Sequence, residues 1–393
     1  MPQALTQTGF LFDEIRARPT EPVRLPEPID VDSLPTPALI LDQPLFANNL
    51  QKMAQHVADH GKGMRPHAKT HKCPEISKRQ TDAGAVGICV AKVSEAVAQT
   101  GAGVDNLLIT SPISTQTKAE VLDRMLGEGH RLMIVIDSIV GLNLLKTHIQ
   151  DGHRLDVLID LDVNMGRTGA RNDEEVRDLA EQLLKDTRFR FRGFQFYAGH
   201  VMHIEGFDAR RDASLELWAQ VSDRIHRMRT SGIEFDIVTG CGTGTFNIDV
   251  DVDLITDLQV GSFIFMDEEY RRVGGPDGDQ FTDFDVSLTL AATTISQPMD
   301  GAITVDAGYK SMASDTVPAA VDQFANTKFR FAGDEHGVLL SRESMQSLHL
   351  GQVVELVTPH CDPTVNLHDY YWVRESDGLI HSRWPITGRG CTW

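Results

Sequence analysis

The feature that most restricts the fold of this 393-residue chain is a series of eight short apolar segments alternating with helical patterns. The segments are residues 64–69, 87–91, 106–110, 132–137, 155–162, 191–197, 235–239 and 257–263. Between them lie amphipathic stretches such as 74–83, 93–99, 174–184 and 213–228, with apolar residues every three or four positions. A strand–helix unit repeated eight times closes most economically as a parallel (β/α)8 barrel with its helices outside, an α/β architecture. Ahead of it, Leu45, Phe46, Leu50, Met53 and Val57 share one face of a helix over 44–60 that Gly61 and Gly63 stop. No eighth helix is evident after Met266.

Beyond Phe281 the pattern changes to strand-like runs separated by Asp/Gly turns, with no helices between them, which predicts a C-terminal all-β domain. The Gly/Pro/Asp stretch 272–280 (RVGGPDGDQ) marks the junction. The expected organisation is an N-terminal arm over 1–41, free to add a strand to the β domain, a barrel over 42–275 and a β domain over 276–393.

Charge narrows the function. With 37 Lys+Arg against 56 Asp+Glu the formal net charge is −19, which disfavours nucleic acid and anionic membranes and points to small-molecule chemistry. No apolar stretch reaches the length of a membrane span, and no secretory leader pattern opens the chain. The five cysteines are odd in number, scattered and never spaced CxxC, which suits a reducing cytoplasm.

Barrel enzymes carry their sites at the carboxyl ends of the strands, so chemistry-bearing residues are sought there. RPHAKTHK (65–72) ends the first strand at Lys69, where desolvation can strip the amine of its proton and make it a nucleophile. His67 and His71 flank it, but on an extended strand they lie about 13 Å apart, too far to share a metal. TGCGTGTF (239–246) follows the seventh strand with small residues that let backbone N–H groups approach a cofactor phosphate. Arg167 follows the fifth strand, and Tyr197, His200 and His203 the sixth. In HCDPTVNLHD (360–369) strand alternation projects His360 and Asp362 to one side, an imidazole–carboxylate pair suited to Mn, Mg or Zn.

Taken in order, RPHAKTHKCPEI, GICVAKVSEA, the 197–203 segment, TGCGTGT, LQVGSFIFMD, VDAG, DEHG and HCDPT…LHD resemble the metal-dependent D-threonine aldolases and 3-hydroxy-D-aspartate aldolases. These are alanine-racemase-like (fold type III) pyridoxal phosphate (PLP) enzymes, related to the D-serine dehydratases. The resemblance runs from about TPALILD (36–42) to the C-terminus. It implies a PLP-binding barrel, a C-terminal β domain and a homodimer acting on a D-amino acid. It implies Lys69 as the residue that carries PLP covalently, and Arg167, Tyr197, Thr239, Gly242, Thr243, Gly244 and Thr245 around the cofactor. It further implies His203 as the general base and His360 and Asp362 as ligands of a divalent cation.

Cleavage of Cα–Cβ would give glycine and an aldehyde. Breaking Cα–H with loss of the hydroxyl would give a 2-oxo acid and ammonia, the dehydratase outcome. The HxD order at 360–362 resembles the aldolases rather than the HxC of zinc dehydratases, while DVNMGRTG and FYAGH depart from the aldolase pattern near the substrate space. A racemase would leave His360 and Asp362 idle, and a non-catalytic PLP-binding protein would have no use for the second domain. A PLP-free metallohydrolase is the remaining alternative. Arg65, Arg167 and Lys310 are candidate cations for an anionic substrate.

Overall fold

The computed structural model describes residues 7–313, 317–324, 326–341 and 348–393. Its strands are β1 (Val23–Ile29), β2 (Ala38–Asp42), β3 (Gly63–Met64), β4 (Ile88–Val90), β5 (Leu107–Ile109), β6 (Leu132–Ile136), β7 (Leu155–Asp160), β8 (Phe189–Gln195) and β9 (Ile237–Gly240). They continue with β10 (Asp257–Leu258), β11 (Leu288–Met299), β12 (Ala302–Val305), β13 (Lys328–Phe331), β14 (Gly337–Leu340), β15 (Val353–Val357), β16 (Tyr370–Arg374) and β17 (Ile380–Pro385).

Strands β3 to β10 form one parallel sheet in the order β3-β10-β9-β8-β7-β6-β5-β4. The ring closes because the chain at β3 is bonded on both sides. It pairs with β10 in register Asp257↔Gly63, and Val86 N and Cys89 N donate to Met64 O and Pro66 O, each at 2.8 Å. The barrel predicted from the alternation is therefore present, and each predicted apolar run overlaps one of its strands.

The helices follow their sequence signals. Gln43–Asp59 buries Phe46, Leu50, Met53 and Val57, and the Asp42 carboxylate caps it by accepting from Leu45 N at 3.1 Å. Asn49 of the same helix donates to Ile264 O at 3.3 Å, so a helix placed before the first barrel strand covers the flank left open after the last. That explains the missing eighth helix: between β10 and β11 there are only the short 3-10 turn Ser262–Ile264 and the single α-helical turn Glu268–Arg271.

The second sheet is mostly antiparallel, in the order β1-β17-β16-β2-β11-β12-β14-β13 with β15 also paired to β11. β2 lies between β11 and β16, in register Leu288↔Leu41 and Trp372↔Ile40, so the chain enters this sheet, builds the barrel and returns. Among the described residues no helix is long and apolar enough to cross a membrane.

One glycine is indispensable to the barrel. Gly193 in β8 has φ +139°, and a Cβ there would lie 1.9 Å from Ile237 O on the neighbouring strand. Gly193→Ala is expected to lower stability by roughly 1–3 kcal/mol or more, read as a lower urea midpoint with unchanged slope.

Candidate active site

The carboxyl ends of all eight barrel strands open into one cavity of about 700 Å³, within the usual range for small-molecule sites. Lys69, Arg167, Tyr197, Gly242 and Thr243 line it, together with His67, Lys92, Asp137, Gly261 and Tyr270. The chain turns immediately after His67, with Ala68 O accepting from Lys72 N at 2.7 Å, and this turn delivers Lys69 to the mouth.

Lys69 Nζ is ion-paired with Asp362 Oδ2. Burial on its own pulls the Lys69 pKa down, but the adjacent carboxylate outweighs it and holds the amine above its ordinary value. Burial likewise disfavours the charged form of Asp362, and the Lys69 ammonium overcomes this and keeps the carboxylate ionised well below the usual range. His67 is buried beside Lys69, and both effects push its imidazole well below its ordinary value, so it stays neutral. Its Nε2 lies 3.0 Å from Thr110 Oγ1.

Beneath the cavity a polar network fills the barrel. Arg65 Nε donates to Asp257 Oδ1 at 3.0 Å and Thr239 Oγ1 to the same oxygen at 2.6 Å. Gln259 Nε2 donates to Thr239 Oγ1 and Gln195 Oε1, each at 3.1 Å, and Gln195 Nε2 to Asp160 Oδ1 at 3.0 Å. Burial raises the Asp160 carboxyl to about 6.

This network corrects part of the sequence expectation. Thr239 lies below the cavity with its hydroxyl committed to Asp257, and Arg65 is neutralised there instead of facing substrate. Lys310 is exposed and paired with Glu335. Arg167 does reach the cavity, its guanidinium 5.0 Å from the centre of the Tyr197 ring, and Lys92 joins it on the wall. The glycine-rich loop turns tightly over Thr243–Thr245, which directs the Thr245 hydroxyl away from the cavity to Asp249 Oδ2, at 2.5 Å. Gly244 faces Met202, whose carbonyl oxygen a Cβ there would approach to 2.2 Å.

A second group lies beside the cavity. The strand alternation expected at His360–Asp362 does not occur: His360 is the N-cap of the short helix Cys361–Val365, with Thr364 Oγ1 donating to His360 O at 2.7 Å. Pro363 sits in its first turn, where proline is tolerated. Backbone bonds from Glu268 N to Thr358 O (3.0 Å) and from Glu269 N to Pro359 O (3.1 Å) fasten this segment to the barrel mouth, and the buried Asp267 accepts from both Cys361 N and Tyr270 N. Glu269 consequently stands between two imidazoles, with Oε1 3.6 Å from His203 Nδ1 and Oε2 3.5 Å from His360 Nδ1. The His203 ring packs against Tyr270, centroids 5.0 Å apart, and Tyr270 faces the cavity. His203, His360 and Asp362 adjoin the cavity through Tyr270 and Lys69 and are not part of its wall.

Sequence reasoning missed Asp267, Glu269, Tyr270 and Lys92. Their signal is position, since FMDEEY (265–270) follows the eighth strand and Lys92 the second, both at the end of the barrel where sites lie.

The family "Alanine racemase, N-terminal domain" matches residues 41–269, and a serine dehydratase domain family matches 287–374. A D-threonine aldolase of Arthrobacter sp. is 35% identical over 356 residues, covering 90% of this chain and 93% of that relative. A 3-hydroxy-D-aspartate aldolase of Paracoccus denitrificans (strain Pd 1222) is 30% identical over 366 residues, covering 92% and 94%. The crystal structure of a D-threonine aldolase from Filomicrobium marinum superimposes with a TM-score of 0.90 at 32% identity, covering 95% of this chain and all of that one. The chain thus belongs to the D-threonine aldolase and 3-hydroxy-D-aspartate aldolase family of alanine-racemase-like, fold type III PLP enzymes.

Proposed function

We propose that the chain is a PLP- and divalent-metal-dependent aldolase that cleaves D-β-hydroxy-α-amino acids of the D-threonine type to glycine and an aldehyde. The observation that carries this reading is Lys69, held at the end of the first barrel strand in a cavity that the glycine-rich loop also lines, and beside a His/Glu/Asp group. Both relatives at 30% identity or more bear aldolase names, which favours carbon–carbon cleavage over dehydration.

The residues present fit PLP. Gly242 and Gly261 both line the cavity, backed by Met202 Sδ and Thr70 Oγ1, to which a Cβ would come within 2.7 and 2.5 Å. Two strand-end loops therefore bring backbone close to the cavity at the end of the barrel suited to a phosphate. When bound, PLP supplies a conjugated electron sink for the bond broken at Cα. Lys69 is the amine that holds its carbonyl carbon. Arg167 and Lys92 place positive charge on the cavity wall for a substrate carboxylate, and Tyr270 limits the space in front of His203.

His203 takes the β-hydroxyl proton in this reading, with Glu269 facing Nδ1 and fixing the orientation of the ring. His360 and Asp362, with Glu269 close by, are imidazole and carboxylate donors of the kind Mn, Mg or Zn accepts. A cation there would polarise the β-hydroxyl oxygen. Among the described residues no group of three or more His, Cys, Asp or Glu side chains is placed to hold a metal ion.

Removal of divalent metal with a chelator is expected to lower D-threonine cleavage by roughly 100-fold or more, with recovery on adding Mn2+ or Mg2+. Glycine formation that persists through chelation would remove the metal from the account.

A further inference from the structure

Arg210 is completely buried, in the first turn of the helix Phe207–Thr230, and its guanidinium donates only to backbone carbonyls. Nε reaches Gly244 O at 2.7 Å, Nη1 reaches Ile204 O at 2.8 Å and Val273 O at 2.6 Å, and Nη2 reaches Gly274 O at 2.7 Å. Among the described residues no carboxylate hydrogen-bonds to it, and the Asp283 carboxylate acts on it only through space. A buried guanidinium that no carboxylate contacts directly is costly, so its placement calls for a reason beyond packing.

The four acceptors belong to three segments that meet at the site. Gly244 lies in the glycine-rich loop, Ile204 follows His203, and Val273 and Gly274 follow the turn that carries Glu269 and Tyr270. Independent contacts tighten the same junction. Met202, the neighbour of His203, presses its carbonyl on Gly244 and its sulfur on Gly242. One turn along the Arg210 helix, Ser214 Oγ donates to Asp249 Oδ1 at 2.5 Å, and Asp249 Oδ2 in turn accepts from Thr245 at 2.5 Å.

Resting on the PLP reading above, we propose that Arg210 is a positioning residue that couples occupancy of the glycine-rich loop by a phosphate dianion to the placement of His203 and Glu269. Its charge, which no carboxylate contacts directly, lies behind the loop and favours an anion in front of it. Its fork transmits a shift of the Gly244 carbonyl to the carbonyls at 204, 273 and 274. A lysine retains the charge and cannot make four divergent bonds, so charge and coupling are separable.

The test is hydrogen–deuterium exchange on the full-length chain freed of cofactor, titrated with inorganic phosphate and, separately, with PLP. In the wild type either ligand is expected to slow exchange in residues 199–206 and 267–274. Arg210→Lys is expected to bind phosphate within a few-fold of the wild type, and at saturation to leave those two segments as fast as in the unliganded protein. Ser214→Ala, which loosens the loop and leaves the fork intact, should weaken phosphate binding and retain the protection at saturation. In turnover, cofactor-saturated Arg210→Lys is expected to lose kcat with little change in KM for the amino acid. Equal protection of 199–206 in wild type and Arg210→Lys, or wild type that binds PLP without protecting that segment, would overturn the coupling. Wild type that binds neither ligand would overturn the PLP reading together with it.

Discussion

Arginine in place of Lys69 is expected to cut turnover of D-threonine by roughly 10⁴-fold or more, equivalent to at least about 5.4 kcal/mol of barrier, and to remove any chromophore that borohydride can fix to the chain. The substitution isolates one property. In the chain without cofactor or metal, a guanidinium keeps a positive charge beside Asp362, so the local ion pair and the fold are expected to be retained. It offers no nucleophilic lone pair, because its nitrogens are delocalised and remain protonated. Lys69→Ala would confuse this by also leaving Asp362 as a buried carboxylate without its counter-ion. Absorbance, borohydride trapping followed by peptide mapping, and glycine release should therefore fail together in Lys69→Arg while the urea midpoint holds. Turnover surviving at more than a few per cent would show that the amine at the barrel mouth has no part in the chemistry.

His203→Ala is expected to lower kcat by about 10²–10⁴-fold, the range for loss of a positioned acid–base group, with cofactor binding and KM little changed. The expectation follows from placement. His203 adjoins the cavity behind Tyr270, partly open to solvent, with Glu269 facing Nδ1. Its ring faces Tyr270 and Glu269 and is not part of the cavity wall, so its loss should spare the cofactor spectrum. His203→Asn serves as the control that keeps hydrogen bonding and removes proton transfer. A fall of less than tenfold would move the role to another group, with Tyr197 on the cavity wall the next to examine.

Much of the fold was legible because a parallel barrel strand is buried on both faces and reads as a short apolar run whatever its neighbours. The first run shows the limit of that rule. β3 has only two paired residues, since Pro66 has no N–H to give and the chain turns at Lys69, yet Pro66 O still closes the ring. The eighth helix could not be found where the repeat demands it, because the helix at Gln43–Asp59 covers that flank from the other end of the barrel segment.

The site was legible where position alone decides, as with Lys69, Arg167 and Tyr197 at strand ends. It was misread where local geometry intervenes. His360 and Asp362 look like alternate residues of a strand, but proline three positions after a polar cap is also a helix start, and the helix is what forms. Thr239 and Thr245 have the right location, with hydroxyls drawn to the buried carboxylates Asp257 and Asp249. Arg210 and Arg211 are adjacent and indistinguishable in sequence. Arg211 pairs with Asp208 and Asp212 in solvent, while Arg210 is buried among carbonyls, a distinction only tertiary packing supplies.

The most direct test of the central claim is identification of the products from D-threonine and L-threonine incubated with the PLP-loaded, metal-replete protein. Glycine and acetaldehyde in equal amounts, from the D substrate alone, is the predicted result. A 2-oxo acid with ammonia, or no product from either substrate, would contradict the assignment of carbon–carbon cleavage to this site.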